Sequence, residues 1–248
     1  SLELDLLDEE PLAIRVQGRP YVVVMRTPGD EPAHAAGLCL AEGLVESPAD
    51  IQSLACCEGE QTNTVTVTLA PDRVEAFERF ADRRMFLSQT SCGLCGKEVV
   101  EELQQILDPL PETSPLDPFQ VRACLDDLSR HQPLRAVTRA AHAAGAYDAA
   151  YRLLAVAEDV GRHNALHKCV GRPFLDGRLA SAALVVLSSR ISYELVQKAA
   201  RARIPVVAAV SRPTALAVAL AESLHMALVT SAGPGRMLVH CGFSRLGL

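Results

Sequence analysis

The chain has 248 residues, with 24 Lys plus Arg, 30 Asp plus Glu and a formal net charge of −6 at pH 7, a balance that argues against a general nucleic-acid binder while leaving room for a local basic site. Hydrophobic residues at 49% and charged ones at 22% describe a globule with a substantial core, and disorder is excluded. No apolar run is long enough to span a membrane, and Ser1-Leu2-Glu3-Leu4-Asp5 has no signal-peptide pattern, so the eight cysteines read as reduced thiols of a cytosolic protein.

Pro11 to Val16 and Tyr21 to Arg26 are apolar, β-branched runs around Gln17-Gly18-Arg19-Pro20, which predicts a β-hairpin. Asp30 is positioned as the N-cap of a helix from Glu31 to Leu44, with Pro32 in its first turn. Ile51 to Cys57 and Thr62 to Leu69 predict two more strands, and Pro71-Asp72 opens a helix reaching Arg84.

Thr90-Ser91-Cys92-Gly93-Leu94-Cys95-Gly96-Lys97 is a Cys-x-x-Cys with a glycine after each cysteine. A thiol with pKa near 8.5 is only about 3% ionised at pH 7, so a working cysteine needs positive potential nearby. Apolar residues at 99, 103, 106 and 107 predict a helix from Lys97 to Leu107, whose unpaired N–H groups favour an anion. Gly93 and Gly96 let the loop bend sharply. Half of a zinc site, a redox couple and a sulfur-transfer nucleophile all fit the pair, and its residue types leave the three open. Cys39, Cys124 and Cys169 lie in apolar helical patterns and read as small core residues.

Three prolines between Asp108 and Asp117 mark a linker. It divides the chain into residues 1–110, an α+β part ending in the cysteine loop and its helix, and residues 111–248, an α/β domain. In the second part, helical patterns at Pro118–Gln132 and Leu134–Ala144 lead into alternating strands (Ala149–Ala157, Ala183–Leu187, Pro205–Val210, Ala227–Thr230) and helices (Arg162–Cys169, Ile191–Arg201, Thr214–His225). That rhythm predicts a layered domain with a largely parallel sheet. Three strand ends carry chemistry: Glu158-Asp159-Val160-Gly161-Arg162-His163-Asn164, then Ser188-Ser189-Arg190-Ile191-Ser192, then Thr230-Ser231-Ala232-Gly233-Pro234-Gly235-Arg236. The last is a glycine-bearing loop whose exposed N–H groups and arginine suit a diphosphate, and, converging on one sheet edge, where ligands bind in such folds, the three clusters predict a pocket. Arg162, His163 and Arg236 are its candidate cations, the alternative for Arg162 being a structural salt bridge to Glu158 or Asp159.

Taken together, Glu10-Pro11-Leu12-Ala13-Ile14, Met25-Arg26-Thr27-Pro28, Glu42-Gly43, Ser91 to Gly96, Ala157 to Ala165, Arg190 to Lys198 and Gly235-Arg236-Met237 resemble the FdhD/NarQ family of formate dehydrogenase accessory sulfurtransferases. The resemblance implies a sulfur carrier that accepts sulfur from a cysteine desulfurase as a persulfide and passes it to the molybdenum bis-guanine-dinucleotide cofactor before insertion into the formate dehydrogenase apoprotein. By position the persulfide falls on Cys92, with Cys95 assisting, and the guanine nucleotide on Ser231, Ala232, Gly233, Pro234, Gly235 and Arg236. It further implies an α/β domain like the cytidine-deaminase fold, and a homodimer.

Departures from the family pattern stand at Ala140 and Ala141, where glycines are usual, at His167, where an acid is, and at Gly233, where arginine is common. Two rival readings are a non-catalytic molybdenum-cofactor chaperone and a zinc-dependent deaminase-like hydrolase using Cys56, Glu58, Cys92 and Cys95. Against the hydrolase, Ser91 replaces the proline usual before the second cysteine pair, and Cys56 falls in a strand. His163 and His167 lie four apart on one helical face and read as part of a polar face without a third ligand.

Overall fold

The structure is a computed structural model and describes residues 4–56, 63–75, 77–78 and 107–248. Cys92, Cys95 and Glu58, and with them the loop at residues 90–97 and the helix expected after it, lie outside the described residues.

β1 (Glu10–Val16) and β2 (Arg19–Arg26) form the expected hairpin. Gln17 and Gly18 both take positive φ, 52° and 73°, as a turn matched to the twist of paired strands requires. α1 (Glu31–Ala41) follows, then β3 (Ile51–Cys56) and β4 (Thr64–Leu69), closing a four-stranded sheet in the order β2-β1-β4-β3. Alternation buries Leu12, Ile14 and Val16 on β1 and Val65, Val67 and Leu69 on β4 against one face of this sheet. Asp30 precedes α1 as predicted but does not cap it. It sits at φ 59°, and its carboxylate pairs with Arg172 instead.

Residues 107–117 run without regular structure, as the prolines require. The second sheet then has six strands in the order β10-β9-β8-β7-β5-β6: β5 (His142–Asp148), β6 (Leu153–Asp159), β7 (Ala182–Leu187), β8 (Val206–Ala209), β9 (Ala227–Ser231) and β10 (Met237–Cys241). Between and before them come α2 (Pro118–Asp127), α3 (Pro133–Thr138), α4 (Arg162–Leu175), α5 (Tyr193–Arg201) and α6 (Ala215–Ser223).

The sheet corrects three expectations. It is mixed: β7, β8 and β9 are parallel, whereas β5 is antiparallel to both its neighbours and β10 to β9. The predicted helix Leu134–Ala144 stops at Thr138, and its last residues enter β5. The predicted strand Ala149–Ala157 begins only at Leu153. Ala-rich sequence favours a helix locally, but burial between β6 and β7 decides otherwise. Gly145 leaves room there for Leu128 and Tyr147, each 3.3 Å from where its Cβ would stand.

α1 is buried on nearly every side, from Ala33 to Ala41, and packs on β3 and β4 as well as on α4 and α5. One hydrophobic cluster therefore draws on both sheets, and a second, holding Val121, Leu125, Leu184, Val186 and Val229, lies between α2 and the other face of the second sheet. At the end of β2 the two sheets are tied by a polar network. Asp159, fully buried, pairs with Lys168 at 2.7 Å and accepts from Thr27 N and from Asn164 Nδ2. Lys168 also donates to Thr27 O at 2.6 Å, and Asn164 to Met25 O at 2.8 Å.

Candidate functional site

β6, β7, β8 and β9 all end on the same edge of the second sheet, where β5 and β10 begin. The three predicted clusters thus share one edge, and four interstrand steps spread them over about 19 Å from β6 to β9. α4, α5 and α6 start at this edge with their N-termini, whose unpaired N–H groups add positive potential.

Of the first cluster, both acids hold the scaffold. Glu158 accepts from the N–H groups of Leu134 and Arg135 at 2.8 and 2.9 Å, and Asp159 belongs to the network with Lys168. Neither pairs with Arg162, so the salt bridge that was the alternative for this residue does not form. The Arg162 Nε is buried without a hydrogen-bond partner among the described residues. His163 Nε2 lies 3.1 Å from Glu194, yet burial, with help from Lys198 and Arg162, pulls its pKa down to about 4. At the start of β5, burial and then Arg162 and Arg135 lower the pKa of His142.

In the second cluster, Ser188 Oγ accepts from Ala143 N at 2.8 Å and Ser189 Oγ donates to Arg190 O. Ser192 is the N-cap of α5 but makes no cap hydrogen bond. Its Oγ and the hydroxyl of Tyr193 are both buried without a partner among the described residues, as is His142 Nδ1. A buried polar atom left unpaired costs about 1–3 kcal/mol. Four such atoms belong to His142, Arg162, Ser192 and Tyr193, which stand at the starts of β5, α4 and α5, and others belong to Arg26, His34, Gln132, His167 and Arg201.

The third cluster is the connection between β9 and β10, a strand that the sequence reading missed. Arg236 N donates to Gly233 O, with Pro234 and Gly235 between them. Gly235 at φ 65° and proline before it are what a type II turn demands. Arg122 of α2, which sequence reasoning also missed, reaches this turn through Ser231 Oγ, Gly233 O and Arg236 O. No local signal in the sequence pairs residues so far apart.

The cysteines divide sharply. Cys39, Cys124, Cys169 and Cys241 are buried, and burial pushes Cys39 and Cys169 up to about 12 and Cys124 and Cys241 up to about 11, so none is a thiolate at neutral pH. Cys56 is exposed on β3. Among the described residues no group of three or more His, Cys, Asp or Glu is arranged to hold a metal ion. His167, expected on a polar helix face, is instead buried, its ring centroid 5.6 Å from that of His34. No described helix is long and apolar enough to cross a membrane.

Residues 7–247 match the FdhD/NarQ family, and the chain belongs to it. Its relatives include the sulfur carrier protein FdhD of Xanthomonas campestris pv. campestris, 37% identical over 240 residues that cover 97% of this chain and 85% of the relative. The sulfur carrier protein FdhD of Anaeromyxobacter dehalogenans is also 37% identical, over 252 residues covering 97% of this chain and 88% of that one. Among solved structures, a formate dehydrogenase accessory protein from Desulfotalea psychrophila superposes with a TM-score of 0.75 at 25% identity, over 97% of this chain and 90% of its own.

Proposed function

We propose that the chain is a sulfur carrier for formate dehydrogenase maturation. A cysteine desulfurase persulfide is attacked at its sulfane sulfur by the Cys92 thiolate. The desulfurase leaves as a thiolate and Cys92 carries the S–SH group, with no net oxidation. Cys95 assists, and the sulfur goes to the molybdenum bis-guanine-dinucleotide cofactor as substrate before that cofactor enters the formate dehydrogenase apoprotein. The carrier acts in the cytoplasm as a homodimer.

The observation that carries the reading is the sheet edge at which α4, α5 and α6 begin and which also carries the three polar clusters. A dinucleotide needs a long, anion-favouring, hydrogen-bond-rich surface, and an edge about 19 Å across, with Arg162 near one end and Arg236 near the other, fits those needs. His163, its pKa lowered to about 4, serves as a neutral hydrogen-bonding group. Four of the remaining cysteines support the assignment to Cys92 by being buried thiols with raised pKa values.

The test is intact-protein mass spectrometry with peptide mapping after incubation with a cysteine desulfurase and cysteine, with zinc measured on the same sample. An adduct of about 32 Da on the Cys92 peptide, lost in Cys92→Ala, is the expected result. No adduct together with one zinc per chain would overturn the carrier reading and favour metal-bound cysteines.

A further inference from the structure

The guanidinium of Arg122 has two sides with different work. Nε and Nη2 fork onto Asp126 one helical turn away, at 2.8 and 2.6 Å, which fixes the plane of the group. Nη1 is then aimed across to the β9–β10 connection, where it donates to Ser231 Oγ at 3.2 Å, Gly233 O at 2.9 Å and Arg236 O at 2.6 Å. The last two carbonyls also close the turn itself, accepting from Arg236 N and Ala232 N.

Packing does not hold this turn. A Cβ placed on Gly233 or Gly235 would meet nothing within 4 Å, and residues 233–236 are exposed. Its shape therefore rests on hydrogen bonds, and among the described residues the side-chain ones come from Arg122. Because the Arg122 charge is matched by Asp126, it is poorly suited to bind an anion itself, whereas Arg236 presents an exposed side chain from the turn so held.

We infer that Arg122, oriented by Asp126, is the positioning residue that keeps the Ser231–Arg236 turn in the conformation that receives a guanine nucleotide diphosphate. This rests on the reading of that turn given under the proposed function. A turn that must be ordered on binding lowers apparent affinity by the fraction of molecules already competent.

GDP is the probe, with affinity measured by calorimetry and hydrogen exchange followed on the peptide spanning residues 231–237. Arg122→Gln is expected to weaken GDP binding about tenfold or more and to speed exchange in that peptide alone. Asp126→Asn, which keeps the guanidinium but loosens its anchor, gives a smaller loss in the same direction. Arg122→Lys restores only part of the affinity, since an ammonium lacks the fork. Arg178→Gln, an exposed charge change elsewhere, leaves affinity unaltered.

Wild-type affinity in Arg122→Gln would overturn the inference while leaving the nucleotide reading intact. So would faster exchange throughout α2 and the second sheet with a lowered melting temperature, because the residue would then be a general structural support. A wild-type protein that binds no GDP would overturn both.

Discussion

Gly171 on α4 lies so close to the carbonyl of Ala33 on α1 that a side chain at this position would overlap it. Gly37 on α1 stands in the same relation to the carbonyl of His167. The two helices thus meet backbone to backbone, and this crossing joins the layers beneath the two sheets. Backbone cannot move aside as a flexible side chain can, so Gly37→Ala and Gly171→Ala are each expected to cost about 3 kcal/mol or more, or to prevent folding. Gly177→Ala has open space and only a positive φ to oppose it, so it should cost about 1 kcal/mol. Urea unfolding of the three variants checks the ranking.

The Asp159–Lys168 pair is buried at 0% and 3% exposure. Lys168→Met leaves a buried carboxylate without its cation and should cost about 3–5 kcal/mol. Adding Asp159→Asn to it removes the orphaned charge, so the double variant should lose less than the sum of the single ones. A double-mutant cycle by denaturant unfolding measures this coupling.

Stability should fall on mild acidification. Burial and the neighbouring Lys168 and Arg26 lower His34 to about 4 against the pull of Asp159, and burial, Lys198, His34 and His163 lower His167. Folded-state values below the unfolded 6.5 mean that the unfolded chain binds more protons in the window between them. The stabilisation is complete above about pH 6.5 and is lost as pH falls towards 4, by about 1.4 kcal/mol per pH unit for each fully buried site. Unfolding free energies at pH 7.5 and 5.0 should differ less in His34→Leu than in the wild type, and equal slopes would contradict this assignment.

Gly233 sits at a φ of 103°, which only glycine adopts easily. Gly233→Arg should therefore raise local positive charge yet disturb the turn. We expect faster amide exchange at residues 231–236, a stability loss of about 1 kcal/mol, and GDP affinity that does not rise in proportion to the added charge.

Cys95→Ala should reduce, without abolishing, sulfur loading by a cysteine desulfurase, in contrast to the complete loss expected in Cys92→Ala. Equal loss in both variants would make the two thiols a single functional unit. The adduct yield on the Cys92 peptide reports the difference.

Much of this protein was legible in local pattern. Alternating β-branched residues around Gln17-Gly18 specify the first hairpin, because side-chain period and turn φ are properties of a few adjacent residues. The three polar clusters at strand ends were legible for the same reason, and their shared edge follows from β6 to β9 all pointing one way. Only tertiary structure decided the rest. The Ala-rich segment at 142–148 is a strand because β6 and β7 bury it between them, a long-range gain that outweighs helix propensity. Asp30 gives up a cap for Arg172, His167 packs in a tilted ring pair with His34, and Arg122 reaches a turn more than 100 residues away. Such pairings depend on how helices and sheets come together in space, which no window of neighbouring residues encodes.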